Sequence, residues 1–292
     1  MNKPAIVGGT PVRDTKLYYG HQYIDDADIQ AVVEVLKSDY LTCGPKITEL
    51  EEKLCKLTGA KYAVVCSNGT AALHMACMAA GVEPGDEVIT TPITFAASAN
   101  CALYCGAKPV FADINDKTYN IDPEKVKAVT TEKTKVVVAV DFTGQSVELD
   151  KLMAHCKENN LVLIEDGAHV IGTKYRDKAN GSIADMTTFS FHPVKTVTGG
   201  EGGAVMTNNE EYYQKLLLAR SHGITRDTAF MHSMRRHTAL KMNDLRNIFR
   251  NETVKCAPVF FEPIRFNVFI YRCFNFINNL SCIDFSFLFQ KI

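Results

Sequence analysis

Thr187-Thr-Phe-Ser-Phe-His-Pro-Val-Lys195-Thr-Val-Thr-Gly-Gly-Glu-Gly-Gly-Ala204 is the stretch on which the reading of this chain turns. Its first five residues are apolar and β-prone, and the run stops at Pro193. Lys195 follows, and then four glycines crowd around Glu201. Glycine removes side-chain bulk and frees the backbone. A lysine beside such a segment can meet a bound carbonyl compound at close range, and lysine amines form Schiff bases with carbonyls. A lone lysine in a loop is ordinarily only solvated. Two further stretches, around Ser67 and Asp166, change that weighting.

Working outward, the chain before Thr187 alternates between strand and helix patterns. Short apolar runs at Tyr62–Cys66, Glu87–Thr91, Val110–Ala112, Val136–Val140 and Leu161–Glu165 read as strands. Between them, Thr70–Ala80, Phe95–Cys105, Pro123–Val129 (capped by Asp122) and Glu148–Asn159 read as helices. Several of the strands are apolar throughout, which marks strands buried on both faces. The alternation predicts an α/β domain with a mainly parallel sheet, whose ligands bind beyond the carboxyl ends of the strands. Two helices precede it. Asp25–Leu36 places Ile29, Val32, Val33 and Leu36 on one face, and a second runs from about Lys46 to Leu57 and ends at Gly59.

At 292 residues and a formal net charge of −1, the chain is long enough for a large core and carries no basic field for nucleic acid. Ten cysteines include no Cys-x-x-Cys pair, so zinc spacing is unsupported and no metal is expected. Met1–Thr15 is polar, no uncharged apolar run is long enough to span a membrane, and reduced thiols are the simplest account. The expectation is a cytoplasmic protein.

Ser67-Asn-Gly-Thr-Ala71 joins a buried strand to a helix. The free amides of a helix start make an anion site, and Gly69 lets a phosphate approach; the pentapeptide fits a plain Ser/Asn cap equally well. Leu161-Val-Leu-Ile-Glu-Asp166-Gly-Ala-His169 ends a strand in two carboxylates. Asp166 there can hold a proton on a ring nitrogen, though a helix cap or metal ligand would look the same. Alone, His169 reads as a satisfied polar residue, and Phe95, after another strand, as a core aromatic or a ring-stacking one.

Together these parts converge on pyridoxal 5′-phosphate (PLP). A phosphate cradle, an aromatic, an acid at a strand end and a lysine before a glycine-rich loop are what that cofactor needs. The same residues carry a resemblance. Ser67–Ala71, Thr91–Asn100, Glu165–His169 and Ser190–Gly203, with Leu41-Thr-Cys-Gly-Pro-Lys, resemble the DegT/StrS family of nucleotide-sugar aminotransferases. The Phe-Ser-Phe-His-Pro-Val-Lys run is highly specific, and the resemblance covers roughly Leu17–Asp227. Among subgroups, the chain is most similar to enzymes that aminate UDP-4-keto-6-deoxy-N-acetylhexosamines on the way to pseudaminic acid.

The resemblance implies a large domain of PLP fold type I over residues 1–227, with a mainly parallel seven-stranded sheet and flanking helices, and a homodimer. It also implies roles. Lys195 would form the Schiff base and shuttle a proton. Asp166 would pair with the pyridine nitrogen, and His169 would lie near the phenolic oxygen. Gly69, Thr70 and Ser190 would bind the phosphate, and Phe95 would stack on the ring. Glutamate would supply the amine and a UDP-linked keto sugar would take it. A PLP sugar dehydratase is the near alternative, but relatives of that kind carry His where this chain has Lys195. A homologue that folds or binds without turnover is the other.

After Asp227 the character changes. All eighteen glycines fall at or before Gly223, and nine of the sixteen phenylalanines lie between Cys256 and Ile292. Compact domains use turn glycines. Arg220–Asp227 is family-like, but no Gly-Tyr-Asn-Tyr-Arg-like stretch follows, and a reading-frame shift near Thr228–Arg236 is the expectation. Residues 228–292 would then be an aberrant, loosely packed tail in place of a small C-terminal domain, and the chain as written poorly soluble or weakly active.

Overall fold

The computed structural model describes residues 3–224 apart from 17 and 19, and these lie within one compact unit, Met1–Thr225. The expected tail lies outside the described residues.

Two helices come first, α1 (Asp26–Lys37) and α2 (Pro45–Thr58). Asp25 caps α1 in a capping box: its Oδ1 accepts from the Ala27 and Asp28 amides at 2.9 and 3.1 Å, and Asp28 returns the bond. The alternation follows as β1 (Tyr62–Cys66), α3 (Gly69–Ala79), β2 (Glu87–Thr90), α4 (Ala97–Tyr104), β3 (Lys108–Phe111), α5 (Pro123–Val129), β4 (Thr134–Val140), α6 (Leu149–Glu158) and β5 (Val162–Asp166). A small hairpin, β6 (Lys174–Tyr175) and β7 (Lys178–Ala179), precedes β8 (Met186–Ser190), β9 (Gly203–Thr207) and α7 (Glu210–Arg220).

The main sheet has seven strands in the order β1-β9-β8-β5-β4-β2-β3. Neighbours from β8 to β3 pair parallel, and β9 runs antiparallel to both β1 and β8. Period-two alternation divides the strand side chains between two faces. Val64, Val88, Val136, Val138, Ile164 and Met186 pack with α3 and α4. Ile89, Val137, Ala139 and Leu163 pack with Leu149 and Leu152 of α6 on the opposite face. Each fully buried aliphatic side chain contributes about 1.5–3 kcal/mol relative to exposure, so this sandwich is what fixes the strand ends in place. α4 begins two residues later than the sequence pattern predicts, because Phe95 serves as its lead-in: the Phe95 carbonyl accepts from the Ser98 amide at 3.1 Å.

Candidate active site

The carboxyl ends of β1, β4, β5 and β8 meet the start of β9 at one edge of the sheet, since β9 alone is reversed. The site residues read from the sequence lie on these ends or on the segments leaving them, except Phe95, which follows the parallel strand β2 beside β4.

Gly69 opens α3 directly after β1, with Asn68 as cap: its Oδ1 accepts from the Ala71 amide at 2.8 Å. The amides of Gly69 and Thr70 are first-turn groups with no intrahelical acceptor. A Cβ on Gly69 would stand 2.8 Å from Ser190 Cβ and 3.1 Å from Ser190 Oγ. Gly203 is equally constrained, because a Cβ there would overlap Asn68 O at 2.4 Å. Glycine at both positions lets three backbone segments close on one another. The helix start, Gly69, Thr70 and Ser190 are therefore together.

Asp166 ends β5 and is buried. Its Oδ2 accepts from Ser98 Oγ at 2.7 Å and its Oδ1 from the Ala168 amide at 3.3 Å. Burial pushes the carboxyl up, while the Ser98 hydroxyl, the Ala168 amide and the Lys195 and His169 charges pull it back. Ser98 is fully buried on α4, and its Oγ also pairs with Thr94 Oγ1 at 2.7 Å. Ser98 has one hydroxyl proton. With that proton given to Asp166, Thr94 donates to Ser98, which makes a relay into the carboxylate. Ser98 and Thr94 were not singled out from the sequence. The signal was faint: two hydroxyls four apart at a helix start, inside the Thr91–Asn100 stretch.

Lys195 sits on the loop between β8 and β9, which folds back on itself. The Lys195 amide donates to His192 O at 2.9 Å, the Gly199 amide to Phe191 O at 3.0 Å, and the Phe191 amide to Gly202 O at 2.8 Å. Lys195 Nζ lies 2.8 Å from His169 Nε2. Burial lowers the Lys195 pKa, against the Asp166 charge. Burial and then the Lys195 charge lower that of His169. Both shifts favour the uncharged forms, and the contact then has either the amine or an Nε2–H as its donor. Lys174 and Lys178, by contrast, are exposed on the β6–β7 hairpin.

Phe95 lies three residues before Ser98 and is 75% exposed. It is not the core aromatic that its local pattern, taken alone, favoured. Among the described residues, no group of three His, Cys, Asp or Glu side chains is placed to hold a metal, and no helix is long and apolar enough to cross a membrane.

The recess fits PLP on its own chemistry. It offers helix-start amides and a hydroxyl for a phosphate, a buried acid for a ring cation, and a partly desolvated amine.

The chain is 46% identical over 211 residues to a UDP-4-amino-4,6-dideoxy-N-acetyl-beta-L-altrosamine transaminase of Campylobacter jejuni, a match covering 71% of this chain and 56% of that protein. Helicobacter pylori PseC, an aminotransferase involved in the biosynthesis of pseudoaminic acid, superposes with a TM-score of 0.69 at 39% identity, covering 73% of this chain and 58% of that one. Spr1654 of Streptococcus pneumoniae in its PLP-form gives a TM-score of 0.69 at 34% identity, over 73% of this chain and 60% of that one. The chain spans about half the length of the curated relatives it matches. The mostly parallel sheet with its flanking helices is the large-domain fold of the fold type I aminotransferases. The family match extends over residues 22–252, and the chain belongs to the DegT/DnrJ/EryC1/StrS aminotransferase family.

Proposed function

We propose that this chain works as a PLP-dependent transaminase, moving an amino group from glutamate to a UDP-linked 4-keto-6-deoxy-N-acetylhexosamine. The observation that carries the reading is the half-buried Lys195 amine, 2.8 Å from His169 Nε2, at the strand ends where Asp166 is buried. The name of the Campylobacter relative supports the sugar class.

When bound, PLP supplies an electron sink for the carbon that bears the transferred amine. The protein's own residues do the rest. The Gly69 and Thr70 amides and the Ser190 hydroxyl bind the phosphate. Asp166 accepts the pyridine N–H, and Ser98 fixes the carboxylate that does so. Phe95 covers one ring face. Lys195 is the nucleophile, and its lowered pKa enlarges the neutral fraction available for attack. The same Nζ would then hold and pass on the proton that the transfer moves, with His169 Nε2 fixing the amine. Donor and acceptor enter the same recess in turn, so ping-pong kinetics are expected.

The test is turnover of the purified chain with glutamate against a panel of UDP- and dTDP-linked 4-keto sugars, read by mass spectrometry. Amination of the UDP-4-keto-6-deoxy-N-acetylhexosamine is the expected result. Amination of the dTDP sugars alone would reassign the substrate, and amination of none would overturn the transaminase reading.

A further inference from the structure

Glu165 and Asp166 are adjacent in sequence, and strand alternation sends them to opposite faces of the sheet. Asp166 faces α4 and belongs to the site above. Glu165 faces the other way and is fully buried. Its Oε1 accepts from Asn180 Nδ2 at 2.6 Å and its Oε2 from Thr187 Oγ1 at 2.6 Å. Asn180 is itself fixed, donating to Ser146 Oγ at 2.6 Å and accepting from Thr173 Oγ1 at 3.0 Å. Both Glu165 oxygens are therefore supplied with donors, as a buried carboxylate requires.

Asp141 directly follows β4. The β4–β5 register sets Ala139 beside Glu165, so Asp141, two residues on, falls on the Glu165 face. Asp141 is fully buried and within hydrogen-bonding reach of Glu165. Its Oδ1 accepts from the Val147 amide at 2.8 Å. Its Oδ2 is, among the described residues, the buried side-chain polar atom that no donor reaches. Two ionised carboxylates side by side, one with a bare oxygen, are unstable in a dry interior. A single proton on that oxygen corrects both faults.

We propose that Asp141 is a protonated carboxylic acid at neutral pH, donating from Oδ2 to Glu165, and that it acts as a positioning residue limiting Asp141, Glu165 and Asp166 to two negative charges. The proton belongs on Asp141 because its Oδ2 is the unsupplied atom, whereas both Glu165 oxygens already accept. Burial and then the Glu165 charge push the Asp141 carboxyl well above the usual carboxylate range, and the Asp166 charge adds to this. An ionised Asp141 would place a third anion near Asp166, whose own carboxyl burial already pushes up. A neutral Asp141 leaves Asp166 free to ionise towards Lys195, His169 and any cationic ligand. The inference rests on the surroundings of Asp141 and stands apart from the proposed reaction.

Infrared difference spectroscopy on the ligand-free, full 292-residue chain at neutral pH tests it. A protonated-carboxyl C=O band is expected that shifts when aspartate is carboxyl-labelled with carbon-13. It should disappear in Asp141→Asn and persist in Asp166→Asn. Asparagine keeps the size and supplies an N–H towards Glu165, so the variant is expected to fold. No such band in the wild-type chain, a band shifted by labelled glutamate instead, or one that survives Asp141→Asn overturns the proposal; the first two outcomes need no variant. A second readout is melting temperature against pH. A group whose folded-state pKa is raised stabilises below its unfolded value, and that stability is lost as pH rises through the folded value. Glu165 and Asp166 face Asp141, with Lys195 and His169 beyond Asp166. The wild-type melting temperature should therefore fall more steeply towards alkaline pH than that of Asp141→Asn. Parallel curves for the two proteins would overturn the assignment.

Discussion

Asp166 and Lys195 face one recess but are held in different ways. Asp166 ends a central strand, and its carboxylate is fixed by Ser98, a fully buried hydroxyl that Thr94 supports. Lys195 stands on the loop between β8 and β9, where Val194 and Val197 are 60% and 50% exposed, and its amine meets His169. One half of the site inherits the rigidity of the core. The other depends on loop geometry and on a single partner for the amine. Substitutions on the strand side should therefore move stability and function together, and those on the loop side function alone.

The largest expected effect is that of Lys195→Ala. Transamination should be abolished, and the melting temperature of the ligand-free chain should stay at the wild-type value. Measured turnover in a mass-spectrometric assay would remove Lys195 from its proposed role, and a large drop in melting temperature would break the contrast itself. Asp166→Asn comes next. An amide cannot stabilise a ring cation as a carboxylate does, so turnover should fall by orders of magnitude while the cofactor still binds through its phosphate. An asparagine has one oxygen where the carboxylate has two, so the Ser98 hydroxyl and the Ala168 amide cannot both keep their acceptor and the melting temperature should fall.

Ser98→Ala sharpens the comparison from the strand side. It removes a hydrogen bond to a buried charge, worth about 1.5–3 kcal/mol. Denaturant unfolding should show a loss of that size, with turnover reduced less than in Asp166→Asn. Unchanged stability would mean that the core does not clamp the carboxylate. The smallest effect is expected for Phe95→Leu. The ring is 75% exposed, so stability should shift by no more than about 0.5 kcal/mol. Cofactor retention in dialysis should weaken modestly, and unchanged retention would remove Phe95 from the ring face.

Much of this was legible in the sequence because its signals are local. Strands ending at Cys66, Asp166 and Ser190 place Asp166, Ser190 and the Ser67 that follows β1 at one edge of the sheet by topology alone. The glycines at 69 and 203 could be read as backbone contacts, though not which segments met, since the approach of Gly203 to Asn68 spans most of the domain. The antiparallel insertion of β9 between β1 and β8 was hidden for the same reason, long-range pairing leaving no local pattern. The acid pair beneath the sheet was hidden too. Nothing local in the sequence links Asp141 to Glu165 until the β4–β5 register sets them on one face. Periodicity also predicts more than the described fold uses at α1. Ile29, Val32 and Leu36 line one face as expected, yet they are 55%, 60% and 64% exposed. The period of a helix shows that one face is apolar, not what covers it.

Whether Lys195 is the residue that bonds the cofactor is tested most directly by borohydride reduction of the PLP-loaded chain, followed by peptide mapping. The yellow colour should be lost, and a phosphopyridoxyl mass should appear on Lys195 and be missing from Lys195→Ala. A phosphopyridoxyl group on the exposed Lys174 or Lys178 instead, or a chain that stays colourless and unmodified with excess PLP, would contradict it.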